Sequence, residues 1–303
     1  VARLKLKVCK TIVKQEKHMT TEPNNYYVPE PSQWPFIGML SVLFTFLGTA
    51  LTIHDFNLGP VFLVTGLGLL FYLFYGWFSD VVNESLSGKY NSQVDRSLRI
   101  GMLWFISSEL FFFLAFFGSL FYIRMYALPW ISGEGYLGST NELYEGFKAV
   151  WPTSGPSNSQ FTPMGALGIP LINTILLLSS GATITWAHHG LKNQNRKHLL
   201  WGLLATVALG LIFACFQAYE YIHAYSDLNL TLKTGVYGST FFMLTGFHGF
   251  HVLVGATMLI VILLRAYKNH FTPKKHFAFE AVAWYWHFVD VVWLALYTFV
   301  YWL

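Results

Sequence analysis

Apolar residues along the 303-residue chain fall into seven long blocks separated by polar segments. A helix crossing the hydrocarbon of a bilayer needs about 20 mostly apolar residues. The blocks Trp34–Ile53, Leu58–Phe78, Leu98–Tyr122, Ile169–His188, Leu200–Ile222, Val236–Leu264 and Phe279–Trp302 meet that length. The pattern therefore predicts an all-α integral membrane protein with seven transmembrane helices. The connection 54–57 is short enough to make helices one and two an antiparallel hairpin. A polar stretch, Ser79–Ser97, separates that pair (34–78) from helices three to seven (98–302), all within one domain, 34–303. The longest insertion, Ile123–Pro163, is rich in Gly, Ser and Pro and is expected outside the bilayer. No internal repeat is visible, which weighs against a transporter built from inverted halves.

Basic residues orient these helices, because cytoplasmic loops retain Lys and Arg. With residues 1–33 as a cytoplasmic segment and seven crossings, the C-terminus falls on the opposite, periplasmic face. All but three of the nineteen Lys and Arg residues then lie inside, in the N-terminal segment and the second, fourth and sixth loops. The exceptions are Arg124, Lys148 and Lys233. Val1–His18 is basic and motif-free, and Met19 opens a stretch that reads as a natural chain start. Residues 1–18 are thus expected to reflect an over-extended start, and no secretory signal is visible. Trp34, Trp77, Trp186, Trp201, Trp284 and Trp302 fall near predicted helix ends, where an indole suits the headgroup boundary. Trp104 and Trp293 sit deeper and are expected to pack between helices.

Composition narrows the class further. Charged residues make up 11% of the chain against roughly 25% in soluble domains. A net charge of +4 without a basic patch excludes nucleic acid as a partner class. Cys9 and Cys215 have no ligand spacing, so neither a disulfide framework nor a thiolate site is predicted. No Walker loop, dinucleotide turn, nucleophile elbow or Cys-x-x-Cys pair occurs.

Ionisable residues inside spans are the functional candidates, since their burial must be compensated. Glu109 lies mid-helix in Phe105-Ile-Ser-Ser-Glu-Leu-Phe-Phe-Phe113. Desolvation there would keep it protonated, a neutral hydrogen-bond donor serving an interhelical contact or a proton path. His248 and His251 stand three apart on one helix face, and His287 and Asp290 repeat that spacing. With Glu220 and Glu280 they are expected to form a polar interhelical network, with no metal held by this chain. Glu220-Tyr-Ile-His223 looks like half of a di-iron Glu-x-x-His pattern, but its second copy is missing. His188 and His189 close helix four, where a cation suits the helix dipole. Arg265 and Lys268 follow helix six and suit either a lipid phosphate or simple snorkelling.

Several ordered stretches resemble cytochrome c oxidase subunit III. The most specific is His276-Phe-Ala-Phe-Glu-Ala-Val-Ala-Trp-Tyr-Trp-His-Phe-Val-Asp-Val-Val-Trp293. Gly235-Val-Tyr-Gly-Ser-Thr-Phe-Phe242, Thr245-Gly-Phe-His-Gly-Phe-His-Val252, Thr185-Trp-Ala-His-His189, the Glu109 segment and Ser32-Gln-Trp-Pro35 complete the set. The resemblance covers about 32–303. It implies a two-helix plus five-helix bundle around a V-shaped lipid cleft. It also implies an accessory subunit of a proton-pumping oxidase that moves electrons from cytochrome c to oxygen.

Haem a and copper would belong to subunits I and II. This chain would pack on subunit I, bind phospholipid, and sustain proton uptake and catalytic lifetime. Matching positions suggest Trp77 and Glu84 near lipid headgroups, Arg265 or Lys268 as the phosphate partner, and Glu109 as the membrane-embedded acid. The basic residue near Arg265 is offset by about one position from the family pattern. Seven helices, rather than the five usual in related quinol oxidases, favour cytochrome c as the donor. The long 123–163 insertion favours the inner membrane of a bacterium over that of a mitochondrion. Two competing readings remain: an autonomous haem or metal protein using His248, His251 and His287, and a secondary transporter using Glu109 and Asp290.

Overall fold

The computed structural model describes residue 27 and residues 30–134, 144–156 and 159–303; the 1–18 stretch lies outside them. The described residues are helical where they are regular, and the chain divides into two compact units, Val1–Leu98 and Arg99–Leu303. Six helices are long and apolar enough to cross a membrane. A seventh, α7 (Phe277–Leu296), continues as a π-helical segment, Tyr297–Trp302. It carries two carboxylates, Glu280 and Asp290, among aromatic residues, and it supplies much of the core.

In the first unit, α1 (Trp34–Ile53) and α2 (Gly59–Leu86) form the expected hairpin. Each begins with proline at a position where no backbone N–H is needed. The hairpin is held by close backbone approach. A side chain at Gly48 or Gly66 would collide with the backbone of Leu63 or Thr45 on the facing helix. Ser41 Oγ donates across the same seam to the Gly66 carbonyl at 3.2 Å. Small residues let helices associate in lipid, where apolar burial offers no driving force. Gly66→Leu is therefore expected to cost about 1–3 kcal/mol of hairpin stability by overpacking. Gly68→Leu, whose side chain would meet open space, should be nearly neutral. The thermal midpoints of the two variants check this.

The second unit packs α4 (Ile169–Lys192), α5 (Arg196–Ser226), α6 (Val236–Tyr267) and α7 around a core that includes Leu177, Leu203, Phe241, Leu259, Trp286 and Trp293. Gly190 and Gly202 bring α4 and α5 into backbone contact near their shared turn. The N-cap of α5 is Asn195, whose side chain accepts from His198 N. α3 (Ser92–Tyr122) approaches differently, standing off on long aromatic side chains. Phe112 meets Phe247 at 5.0 Å between ring centroids, Phe113 meets Phe288 at 6.3 Å, and Phe117 meets Phe299 at 6.0 Å.

Two boundaries differ from the hydropathy reading. The polar stretch Ser79–Ser97 is mostly helix, because α2 runs to Leu86 and α3 starts at Ser92. Helix three also continues beyond Tyr122 through a π-helical turn, Ile123–Ala127, and a last turn, Leu128–Ile131. Hydropathy marks where the hydrocarbon ends, whereas a helix stops only where its backbone finds a cap or a turn. Of the two deep tryptophans, Trp293 is buried as expected, but Trp104 is 74% exposed on the outer face of α3.

Outside the helices, residues 151–156 and 159–163 close over the ends of α5 and α6. Tyr237 N donates to Thr153 O, Thr162 N to Leu228 O, and Asn229 Nδ2 to Gln160 O. Gly235 makes this fit possible. Its φ of +91° disfavours any other residue, and a Cβ there would strike the Ser154 carbonyl.

Candidate functional site

The ionisable residues picked from sequence do not converge on one network; the helices sort them into separate clusters. Glu109 on α3 meets His251 on α6, with Oε2 and Nε2 2.9 Å apart. His251 Nδ1 lies 2.6 Å from the Phe247 carbonyl. A carbonyl can only accept, so Nδ1 carries a proton and Nε2 faces the carboxyl group. Nε2 and the carboxyl group stand within hydrogen-bond distance, a contact that one proton between them completes. Phe112, Phe113, Phe250 and Tyr285 surround the imidazole with ring centroids at 5.0–6.4 Å.

His248, one turn earlier, points elsewhere. It is fully buried, with Nε2 3.2 Å from the Val289 carbonyl and its ring between Phe213 and Trp293. His287 and Asp290 face each other along α7 at 3.5 Å, and His287 Nε2 reaches Thr185 on α4 at 3.4 Å. Gly181 provides the space that the Asp290 carboxylate occupies. The three imidazoles on which an autonomous redox site would depend are thus engaged with three different partners.

Glu220 is buried on α5, and its Oε1 accepts from the Tyr301 hydroxyl at 2.7 Å. The sequence reading passed over Tyr301, because nothing local marks a tyrosine at the chain's end as the partner of a glutamate 81 residues earlier. The same holds for two tryptophan anchors. Trp286 Nε1 donates to Ser180 Oγ at 2.8 Å, and Trp293 Nε1 to Thr174 Oγ1 at 2.9 Å. Both fix α7 against α4.

Glu280 lies in the first turn of α7 and gathers a fourth group. Arg99 Nη1 approaches Oε2 at 2.5 Å, while His276 Nε2 and His188 Nε2 approach Oε1 at 3.2 and 3.5 Å. Among the described residues, His188, His276 and Glu280 form the one set of three imidazole or carboxylate ligands whose donor atoms lie within 4.8 Å of one another.

The residues suggested for lipid fall in both units. In the first, Glu84 Oε2 accepts from the Tyr90 hydroxyl at 2.9 Å. Partial burial, with the glutamate's charge beside it, pushes the Tyr90 phenol well above its ordinary value, so it remains a donor through the physiological range. Trp77 is about half exposed and stacks on Phe78. In the second unit, Arg265 lies 4.8 Å over the Phe271 ring. Its Nε is buried with no hydrogen-bond partner among the described residues. Lys268 caps the end of α6.

Long apolar helices, outward-facing aromatic residues and spanning carboxyl groups each held by a hydroxyl or an imidazole define a polytopic helical membrane protein. The profile of the family "Cytochrome c oxidase subunit III" matches residues 24–303. The cytochrome c oxidase subunit 3 of Equus caballus is 44% identical over 94% of this chain and 99% of its own length. That of Dasypus novemcinctus is 43% identical over the same shares. The liverwort Marchantia polymorpha has one 42% identical over 93% of this chain and 97% of its own. The chain belongs to the cytochrome c oxidase subunit III family. It is accordingly a multi-pass membrane subunit of an oxidoreductase complex of the respiratory chain. The autonomous redox protein and the transporter find no support in these relationships.

Proposed function

We propose that this chain is a non-redox accessory subunit that packs on subunit I of the oxidase, binds phospholipid, and sustains proton uptake and catalytic lifetime. Haem a and copper belong, on this reading, to subunits I and II, with cytochrome c as donor to the complex. The observation that carries it is the separate engagement of the intramembrane imidazoles: His251 by Glu109, His248 by the Val289 carbonyl, His287 by Asp290. Groups so held suit interhelical bonding better than a shared redox ion.

Affinity purification of the tagged chain from native membranes is the test. Oxidase haem bands with subunits I and II in the eluate support the reading. A lone chain with its own Soret band defeats it.

The face bearing the second, fourth and sixth loops is, on this reading, the cytoplasmic side of a bacterial inner membrane. The basic loops support the orientation. The bacterial setting rests on the length of the 123–163 insertion, and the relatives named above, two mammals and a liverwort, lend it no support.

Lipid binding is the part most open to direct measurement. Arg265, whose buried Nε has no hydrogen-bond partner among the described residues, and Lys268 beside it suit a phosphate headgroup. Replacing both with glutamine is expected to remove about one phospholipid per complex and to shorten the turnover lifetime severalfold. Lipid phosphorus analysis of the purified oxidase checks this, and unchanged lipid content would remove the assignment.

A further inference from the structure

We propose that His188, His276 and Glu280 form a binding site for a divalent transition metal, Zn²⁺ being the best fit, on the side of the second unit that carries the basic loops. The proposal departs from the sequence reading, which expected no metal in this chain and gave His188 only a helix-dipole role.

Three observations lead to it. The first is convergence. His276 Nε2 and His188 Nε2 lie 3.2 and 3.5 Å from the same carboxylate oxygen, Glu280 Oε1. All three donor atoms fall within 4.8 Å of one another. Tetrahedral zinc with ligands at about 2.0–2.2 Å separates its donors by roughly 3.3–3.5 Å. The two measured edges already have that length.

The second observation is the hydrogen bonding of His276. Its Nδ1 lies 3.1 Å from the Thr272 carbonyl, to which it can only donate. The other nitrogen, Nε2, faces a carboxylate oxygen, an acceptor, so a proton or a metal ion must stand between them. Among the described residues neither His276 Nε2 nor His188 Nε2 has a hydrogen-bond partner, and both atoms are buried. A metal ion shared among the three, in place of protons on the imidazole nitrogens, would satisfy all of them at once. An imidazole whose second nitrogen donates to a backbone carbonyl is also the usual arrangement behind a metal-ligating histidine.

The third observation is the role of Arg99. Its guanidinium pairs with the other oxygen, Oε2, at 2.5 Å, and lies 5.1 Å over the Phe277 ring. It leaves Oε1 for the two imidazoles. The carboxylate would therefore bind a metal through one oxygen while Arg99 fixes the other. The side chains of His188, His276 and Glu280 are 23%, 9% and 13% exposed. An ion could thus enter, and a water could complete the coordination.

The charges nearby also matter. Arg99 offsets the Glu280 carboxylate, and Lys192 lies one turn beyond His188. These cations weaken the site, so moderate affinity and exchange with free metal are expected rather than a permanent ion. The position would suit a reversible regulatory site better than a structural one.

Purified oxidase containing this chain, stripped with a chelator and re-equilibrated with graded Zn²⁺, provides the test, with bound zinc read by elemental mass spectrometry. His188→Gln and His276→Gln should each lose one equivalent, or weaken its binding at least tenfold. His198→Gln, an exposed histidine on the same side, should bind as the wild type does. Equal zinc content and affinity in wild type and the two ligand variants would overturn the proposal.

A second measurement needs no variant. Diethylpyrocarbonate labelling of the wild-type complex, read by peptide mass spectrometry, should show His188 and His276 protected by Zn²⁺ and His198 unprotected. Labelling of both that is indifferent to zinc would also overturn the site.

Discussion

Replacing Trp286 by alanine is expected to destabilise the second unit by about 3–5 kcal/mol, the range for deleting a large aromatic from a packed interior. Its indole is fully buried. Gly210 on α5 and Gly255 on α6 are glycines because a Cβ at either would strike that ring. Ser180 on α4 accepts its N–H. One side chain on α7 thereby touches all three neighbouring helices, and none of them can move in to fill the space without losing its own contacts. The thermal midpoint for loss of this subunit from the purified oxidase should fall by several degrees. Trp286→Phe should recover part of the packing but leave Ser180 without its donor. A midpoint within a degree of wild type for Trp286→Ala would mean that α7 is held by other subunits rather than by this core.

His251→Leu is the second large effect, about 1–3 kcal/mol, because it leaves the Glu109 carboxyl group facing an apolar side chain. Removing one member of a polar pair costs more than removing both. Adding Glu109→Leu to His251→Leu should therefore restore much of the loss, a coupling that a double-mutant cycle measures directly. Glu109→Gln alone should leave turnover and proton pumping near normal, since the amide still offers a donor to His251 Nε2. A large loss of pumping by Glu109→Gln, with assembly intact, would instead assign the pair a proton-handling role. Pairing is what allows both polar groups to sit among Phe112, Phe113 and Phe250 at the depth where a lone charge would be costly.

The contrast between the two kinds of helix contact explains where sequence reading worked. The short 54–57 connection was enough to pair helices one and two, while Gly48 and Gly66, which the sequence reading did not single out, set their close approach. α3 carries no such signal. Its phenylalanines look the same in sequence whether they face lipid or a partner, and indeed Phe113 is buried while Phe111 is exposed. Trp104 shows the same limit from the other side: depth in a hydrophobic block was read as burial, and the residue faces outward.

The histidine pairings illustrate a further gap. The spacing of His248 and His251 places both on one face of α6, but a three-residue step also turns each through roughly 300° along a helix of 3.6 residues per turn. That offset is enough for one to meet α3 and the other the backbone of α7. His276 and Glu280 stand four residues apart, a spacing that the sequence reading did not single out. Arg99 and His188 reach them from 177 and 88 residues earlier in the chain, and no local pattern encodes such a meeting.

What the sequence determined alone was the solvent, the number of long helices, the hairpin and the family. Each of these follows from properties that a residue carries wherever it stands: its transfer free energy to hydrocarbon, its propensity to start or end a helix, its place in an ordered motif. What only the tertiary structure decided was which polar groups neutralise which. A hydrogen bond or ion pair acts over about 3 Å, whereas sequence patterns fix direction only within one helix, and the choice among partners depends on the rotation and offset of two packed helices.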